Sequence, residues 1–507
     1  MTFLSARGEA LATARILLIV LPAFLLYGYN QSNLGVLAYP SFTKHFPTID
    51  TATTTGEAKS RNARIQGTVV AIYTLGCLIG ALGIARVANR FGRRPSLLAG
   101  AVVVAAGMLI QATSFSLAQL IVGRILSGVG NGAINAVVPV WQSECSAPKS
   151  RGKNVVVLGA FVATGVAAAG WVNYGLSSIS SQEVAWRLPL ALPIVFSLML
   201  MASTMLFPES PRWLVMKGKT EDARQSISRL AVGNQADPEA VELELATLTS
   251  MIRIEGQQPA RGYLDLFKRD GQRLWYRLCL AIGINFCAQM TGANVISYYG
   301  TTIFKESLLL PSKKAALLNA GVLTWKIAAA TFAYLTVDRI GRKPLFMIAG
   351  AGMGASMAGL AGTVWAIDNQ ASPGAGIAAT FFLFLFMAFF PLGFLAANFL
   401  YSAEIAPQDL RIHLASIGTA THWLFNFVIA EITPIAFVSI KWRYYIVYAV
   451  IGFCVVPLVY FLFPETKGKS LEEMNTLFSE GNPFGKFHHF QSKSCLRRYL
   501  KQKKVQS

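Results

Sequence analysis

An all-α membrane protein, with twelve transmembrane helices in two pseudo-symmetric six-helix bundles, is the fold class that this sequence predicts. Three observations predict it. Of the 507 residues, 53% are apolar and only 14% charged, and the mean hydropathy is +0.47, more than the core of a soluble domain needs. Apolar runs long enough to cross a ~30 Å hydrocarbon core recur along the whole chain. Three short marks occur twice, each pair about 250 to 260 residues apart, as a duplicated membrane half would leave them. They are Gly92-Arg93-Arg94-Pro95 with Gly341-Arg342-Lys343-Pro344, Glu144 and Arg151 with Glu404 and Arg411, and Pro208-Glu209-Ser210 with Pro464-Glu465-Thr466.

In chain order the expected spans are 15–38, 67–88, 96–114, 117–141, 154–174, 187–207, 277–299, 315–337, 344–366, 377–401, 412–438 and 443–463. Residues 1–207 then make an N-terminal six-helix bundle, 208–276 a cytoplasmic linker with short helices, 277–463 a C-terminal bundle and 464–507 a cytoplasmic tail. Arg7 and Arg15 precede the first apolar run as in a signal peptide. That run continues through Gly28-Tyr29-Asn30 without a small-residue cleavage pattern, so it reads as a span. A polar external loop is expected over 39–66. Gly76, Gly80 and Gly83 line the second span, and Gly128/Gly132 and Gly350/Gly354 recur elsewhere; such small residues let helix backbones approach closely. In the linker, helical apolar spacing predicts surface helices over 221–230 and 239–254.

The formal charge of +20 does not point to nucleic acid, because its position matters more than its sum. Arg90, Arg93, Arg94, Arg151, Arg342, Lys343 and Arg411 all fall in alternate connections, which the positive-inside rule places in the cytoplasm with both termini. The six cysteines are scattered, with no CxxC and no paired histidines. A disulfide framework and a metal site are therefore not expected. No nucleophile with its base and no phosphate loop is present either, so an enzyme is excluded and no cofactor is expected.

The Glu144 to Arg151 and Glu404 to Arg411 spacing of seven residues is two helical turns, ~10.5 Å. The two groups would share a face without pairing, so each glutamate is expected to meet an arginine of the neighbouring loop. Such bridges, worth up to ~1 kcal/mol when exposed and more when desolvated, suit a reversible latch or permanent glue.

Several longer stretches carry a resemblance. Gly123-Arg124, Gly128, Pro139-Val140-Trp141-Gln142-Ser143-Glu144, Pro148 and Arg151-Gly152 form one, and Asn89-Arg90-Phe91-Gly92-Arg93-Arg94 another. With them go Pro208-Glu209-Ser210-Pro211-Arg212-Trp213-Leu214, Asp338-Arg339-Ile340-Gly341-Arg342-Lys343 and Pro464-Glu465-Thr466-Lys467-Gly468. Together they resemble the sugar porter branch of the major facilitator superfamily, in its fungal-type members, from Ala14 to Met474. The resemblance implies a multi-pass secondary carrier, expected in the plasma membrane, whose partners are the lipid bilayer and a small sugar-like substrate. It implies two bundles rocking about a central site, with Arg93, Arg94, Glu144, Arg151, Glu209, Arg342, Glu404, Arg411 and Glu465 as the cytoplasmic gate.

Counted inward from edge charges at 1.5 Å per residue, Asn30, Gln289, Lys326 and Asn426 lie roughly 18 to 23 Å deep, in one layer near the bilayer centre. Gln289, Asn294 and Tyr298 match the family's seventh-span sugar signature, and Trp423 and Asn426 its eleventh-span Trp-x-x-Asn. Amides both donate and accept, as a hydroxyl requires, and an indole offers an apolar floor. Helix–helix bonding is the plainer use of these amides. Departures from the family pattern are Gly159 and Ala288 where glutamines are common and Phe399, preceded by Asn398, where tryptophan is usual. They weaken the case for an ordinary hexose.

Lys326 stands where the family often has asparagine. A charge at that depth costs ~2.5 kcal/mol or more unless paired or hydrated, so it meets an anionic substrate group, pairs with Glu431, or snorkels. Asn30 stands where proton-coupled members place aspartate, and an amide cannot titrate. Flow without proton symport is expected, with His422 and Glu431 as the other candidate coupling groups. The leading reading is a carrier for sugars, polyols or related hydroxylated molecules. Its rivals are a carrier of a hydroxy acid or specialised metabolite and a non-transporting nutrient sensor on the same fold.

Overall fold

The structure is a computed structural model that describes residues 8–478 apart from 146–150, 232–236, 258–262, 269–272, 371–373, 396, 408–409, 469–473 and 475–476. Eleven helices among the described residues are long and apolar enough to cross a membrane, and a further helix stands where the fifth span is predicted. The first half holds α1 (Gly8–Leu37), α2 (Gly56–Phe91), α3 (Arg93–Ala112), α4 (Leu117–Glu144), α5 (Arg151–Leu176) and α6 (Val184–Thr204). Three short helices follow, α7 (Pro211–Met216), α8 (Thr220–Leu230) and α9 (Pro238–Gln257). The second half holds α10 (Leu274–Ser307), α11 (Ser312–Ile340), α12 (Arg342–Gln370), α13 (Ala375–Glu404), α14 (Arg411–Ser439) and α15 (Arg443–Leu462).

Several helices are not the uninterrupted spans expected. In α1 the residues Ile16–Val20 form a wide π turn just before Pro22, whose ring crowds the carbonyl four residues back and which has no N–H to give it. In α10 the helix Leu274–Met290 stops and a new one, Ala293–Thr302, begins. Gly292 makes the break at φ +90°, a left-handed value that only glycine adopts freely. α2 begins at Gly56 rather than at residue 67, so the second part of the expected external loop is helix, and its first part holds the short helix Pro40–His45.

Each half has its own apolar core, one built on Leu97, Val104, Ile134 and Trp141, the other on Phe346, Met353, Phe386 and Tyr401. Close backbone approach builds the first. A Cβ on Gly80 would lie 2.0 Å from the carbonyl oxygen of Val129, and one on Gly132 2.1 Å from that of Cys77, so α2 and α4 pack nearly backbone to backbone. Gly83 does not belong to this seam, because a Cβ there would meet nothing within 4 Å.

The halves meet along α2 with α14 and α5 with α11. Thr68 donates to Glu431 Oε1 (2.8 Å), Trp171 Nε1 to Thr324 Oγ1 (2.9 Å) and Ser32 to the Ser297 carbonyl (3.1 Å). All three contacts lie toward the end opposite Arg93 and Arg342, so this conformation is closed at that end.

Candidate functional site: two basic knots and a mid-depth polar layer

At the basic end the duplicated marks become duplicated geometry. Arg93 holds Glu144 with two bonds, Nε to Oε2 and NH2 to Oε1, both 2.8 Å, and gives NH1 to the Ala88 carbonyl (3.1 Å). Arg342 holds Glu404 the same way at 3.2 and 2.8 Å and gives NH1 to the Val337 carbonyl (3.3 Å). Paired, planar contacts of this kind are what a guanidinium and a carboxylate favour.

Glu209 accepts from the backbone N–H of Arg93 and Arg94 (both 3.1 Å), and Glu465 from those of Arg342 and Lys343 (both 3.0 Å). Each glutamate therefore caps the positive end of a helix. Gly92 and Gly341 sit at φ +104° and +103°, and a Cβ on either would fall 2.5 or 2.8 Å from the capping carboxylate. Glycine is required there twice over. Arg94 turns away to the carbonyls of Thr204 (3.3 Å) and Met205 (2.8 Å) at the end of α6. Arg15 bonds Gln142 Oε1 (2.8 Å) and the Cys145 carbonyl (2.9 Å), and Arg277 bonds the Ile405 carbonyl (2.9 Å).

Two sequence expectations change here. The seven-residue spacing is not a helical repeat, since α4 ends at Glu144 and α13 at Glu404, while Arg151 and Arg411 open the next helices. The side chain of Arg151 lies outside the described residues. Both Arg–Glu pairs, moreover, join helices of one half, so in this conformation they hold a half together and do not bridge the two.

At mid depth the broken α10 and α14 supply a connected set of polar groups. Gln289 places Nε2 2.7 and 2.9 Å from the ring nitrogens of His422 and accepts through Oε1 from Asn294 Nδ2 across the Gly292 break. The His422 ring stands 4.9 Å from Phe399 and 5.6 Å from Trp423. Trp423 is buried against Tyr73 and Cys77 of α2 and edge-on to Tyr27 of α1 (5.6 Å), which brings the first half to the site. Tyr298 donates to Asn426 Oδ1 (3.0 Å). Among the described residues, Asn426 Nδ2 and Asn30 Nδ2 are buried with no hydrogen-bond partner, although Asn30 Oδ1 accepts from Asn33 (3.3 Å). A buried donor left unmet costs stability, and a bound polar molecule relieves that cost.

Lys326 does not pair with Glu431, which accepts from Thr68 at the closed end. Its ammonium instead lies 5.2 Å over the ring of Phe390. Ala288 and Gly159 are buried among neighbours, and Asn398 Nδ2 donates to Asn285 Oδ1 (3.0 Å) while Asn285 Nδ2 donates to Ser402 Oγ (3.1 Å). Sequence reasoning left two residues out of the binding set. His422, considered in the sequence only as a candidate coupling group, falls one position before the Trp-x-x-Asn pattern. Asn135 of α4 has both amide atoms buried and unpartnered among the described residues. It lies one turn from Asn131, which bonds Tyr73, and an Asn-x-x-x-Asn pair inside an apolar run was the available signal.

Two halves of six long helices, each knotted at one end and sharing a buried polar layer, have the architecture of a membrane carrier. The chain belongs to the sugar (and other) transporter family, whose model matches residues 16–478. It is 35% identical over 467 residues to the MFS-type transporter oryC of Aspergillus oryzae, covering 90% of this chain and 84% of that one. It is 32% identical over 465 residues to the sugar transporter STL1 of Saccharomyces cerevisiae, covering 90% and 79%. The structure of the proton:xylose symporter XylE bound to 6-bromo-6-deoxy-D-glucose superposes with a TM-score of 0.74 at 24% identity, covering 93% of this chain and all of that one. At that identity the likeness establishes the fold alone.

Proposed function

We propose that this transporter moves a sugar, polyol or related hydroxylated small molecule by alternating access, binding it at the mid-depth layer of Gln289, Asn294, Tyr298, His422, Trp423 and Asn426. The observation that carries the reading is the pair of buried, unpartnered amide donors on Asn30 and Asn426, on opposite halves. A hydroxyl answers such a donor and can donate in turn. Trp423, in contact with both halves, supplies the apolar floor.

The basic end is proposed as the cytoplasmic side, with both termini, the 208–276 linker and the 464–507 tail there, and the plasma membrane as its location. Arg93, Arg94, Glu144, Arg151, Glu209, Arg342, Glu404, Arg411 and Glu465 then set the rigidity of the two halves that rock. With Asn30 in place of a titrating carboxylate, the transport cycle is proposed to run without obligatory proton symport.

The test is radiolabelled uptake in cells without hexose carriers, over neutral sugars, polyols and hydroxy acids, with and without a protonophore. Saturable uptake of at least one solute that survives the protonophore and disappears in Asn426→Ala is the expected result. Uptake of none of them, at normal surface expression, overturns the carrier reading. Uptake abolished by the protonophore overturns the uncoupled form of it.

A further inference from the structure

The side chain least explained by binding neutral hydroxyls is Lys326. It is 2% exposed, and among the described residues it has no carboxylate and no hydrogen-bond partner, only the face of Phe390. It sits at the middle of α11, Ser312–Ile340, about 21 Å from either end at 1.5 Å per residue. A lysine stem reaches only about 6 Å, so this ammonium cannot snorkel to either interface.

The register of two neighbouring segments fixes where it lies. Asn319 Nδ2 bonds Thr301 Oγ1 (3.2 Å), and Asn319 also fills the space that a Cβ on Gly300 would take, so the second segment of α10 and the first turns of α11 touch there. The two run in opposite directions across the membrane. Seven residues before Thr301 is Asn294, and seven after Asn319 is Lys326. Both steps are two turns, about 10.5 Å toward the basic end, and both return to the face they started from. Lys326 and Asn294 therefore stand at one depth, with the Lys326 ammonium over Phe390 of α13.

We infer that Lys326 is the anion-recognising group of the mid-depth site and that the substrate class is a polyhydroxy carboxylate, a hydroxy acid of sugar size. This rests on the carrier reading above. The amides of Gln289, Asn294 and Asn426 take the hydroxyls, and the ammonium takes the carboxylate, the one partner that a buried cation needs and the protein does not supply. The missing polar residues at Gly159 and Ala288 fit the same picture, since a charge-assisted bond replaces neutral ones.

The experiment uses the purified full chain in proteoliposomes and matched pairs of probes, gluconate with glucitol and glucuronate with glucose. Wild type is expected to carry the acids at least about tenfold faster than their neutral partners, as one charge-assisted hydrogen bond allows. Lys326→Met is expected to lose the acids by about tenfold or more while changing the neutral solutes by less than about twofold, and Lys326→Arg to retain acid transport. Equal carriage of acids and neutral partners by wild type overturns the inference and leaves the carrier reading standing. So does a Lys326→Met protein that folds, by size exclusion and thermal melting, and loses both sets alike. Carriage of neither set overturns both.

Discussion

The two halves are near copies at the basic end and unlike at mid depth. Arg93, Glu144 and Glu209 repeat almost atom for atom in Arg342, Glu404 and Glu465. At mid depth the second half supplies Gln289, Asn294, His422 and Asn426, where the first brings Tyr27, Tyr73 and the amides of Asn30 and Asn135. In the proposed rocking cycle each half moves as one body, and the device that would hold it together is present twice. A small solute without two-fold symmetry needs only one set of hydroxyl partners, so the site is free to differ between halves.

The largest effects should come from the shared device. Removing one partner of a desolvated ion pair leaves the other charge stranded, so Arg93→Ala should cost about 3 to 5 kcal/mol, read as a fall in melting temperature of the detergent-purified protein. Glu404 is 24% exposed against 11% for Glu144, and solvent screens the stranded charge better there. Arg342→Ala should therefore cost less than Arg93→Ala, and the reverse order would break the equivalence of the knots. A second measurement separates site from scaffold. Gln289→Ala removes the bridge between His422 and Asn294 and should lower uptake by about ten- to a hundredfold, with the melting temperature little changed. A large thermal loss in that variant would make Gln289 structural.

Asn135→Ala tests whether the first half contributes more than Asn30. A fall of about threefold to tenfold in uptake is expected from one weaker amide contact, and no change would remove Asn135 from the polar site. The smallest effect belongs to Gly83→Ala. With open space around it and helix propensity favouring alanine by up to about 1 kcal/mol, the variant should be neutral or slightly more stable by thermal melting. Marked destabilisation would put Gly83 back in the α2–α4 seam.

The spans were legible because hydrophobic length is a one-dimensional signal, and the knots because their marks are short and repeated. The breaks were not. The Thr291-Gly292 pair lies inside an apolar run with nothing local to separate a left-handed glycine from a packing one. Residues 56–66 carry charge and no apolar run, so their helix depends on following α2 outward and on contacts such as Asn62 with the carbonyls of Pro47 and Asp50 (3.2 and 2.8 Å). The seven-residue Glu–Arg spacing misled because helical counting assumes an unbroken helix, and Cys145 already leaves it. His422 escaped because its role depends on Gln289, more than a hundred residues away.

The clasp from Asn294 to Gln289 spans the one left-handed residue of α10. A cargo that takes the Asn294 N–H or the Gln289 oxygen lone pair used there competes with that clasp, although each amide keeps other hydrogen-bonding positions. In the conformation seen, the joint between the two rods of α10 is fastened by the protein's own amides, so a cargo that did displace them would free one rod to turn against the other.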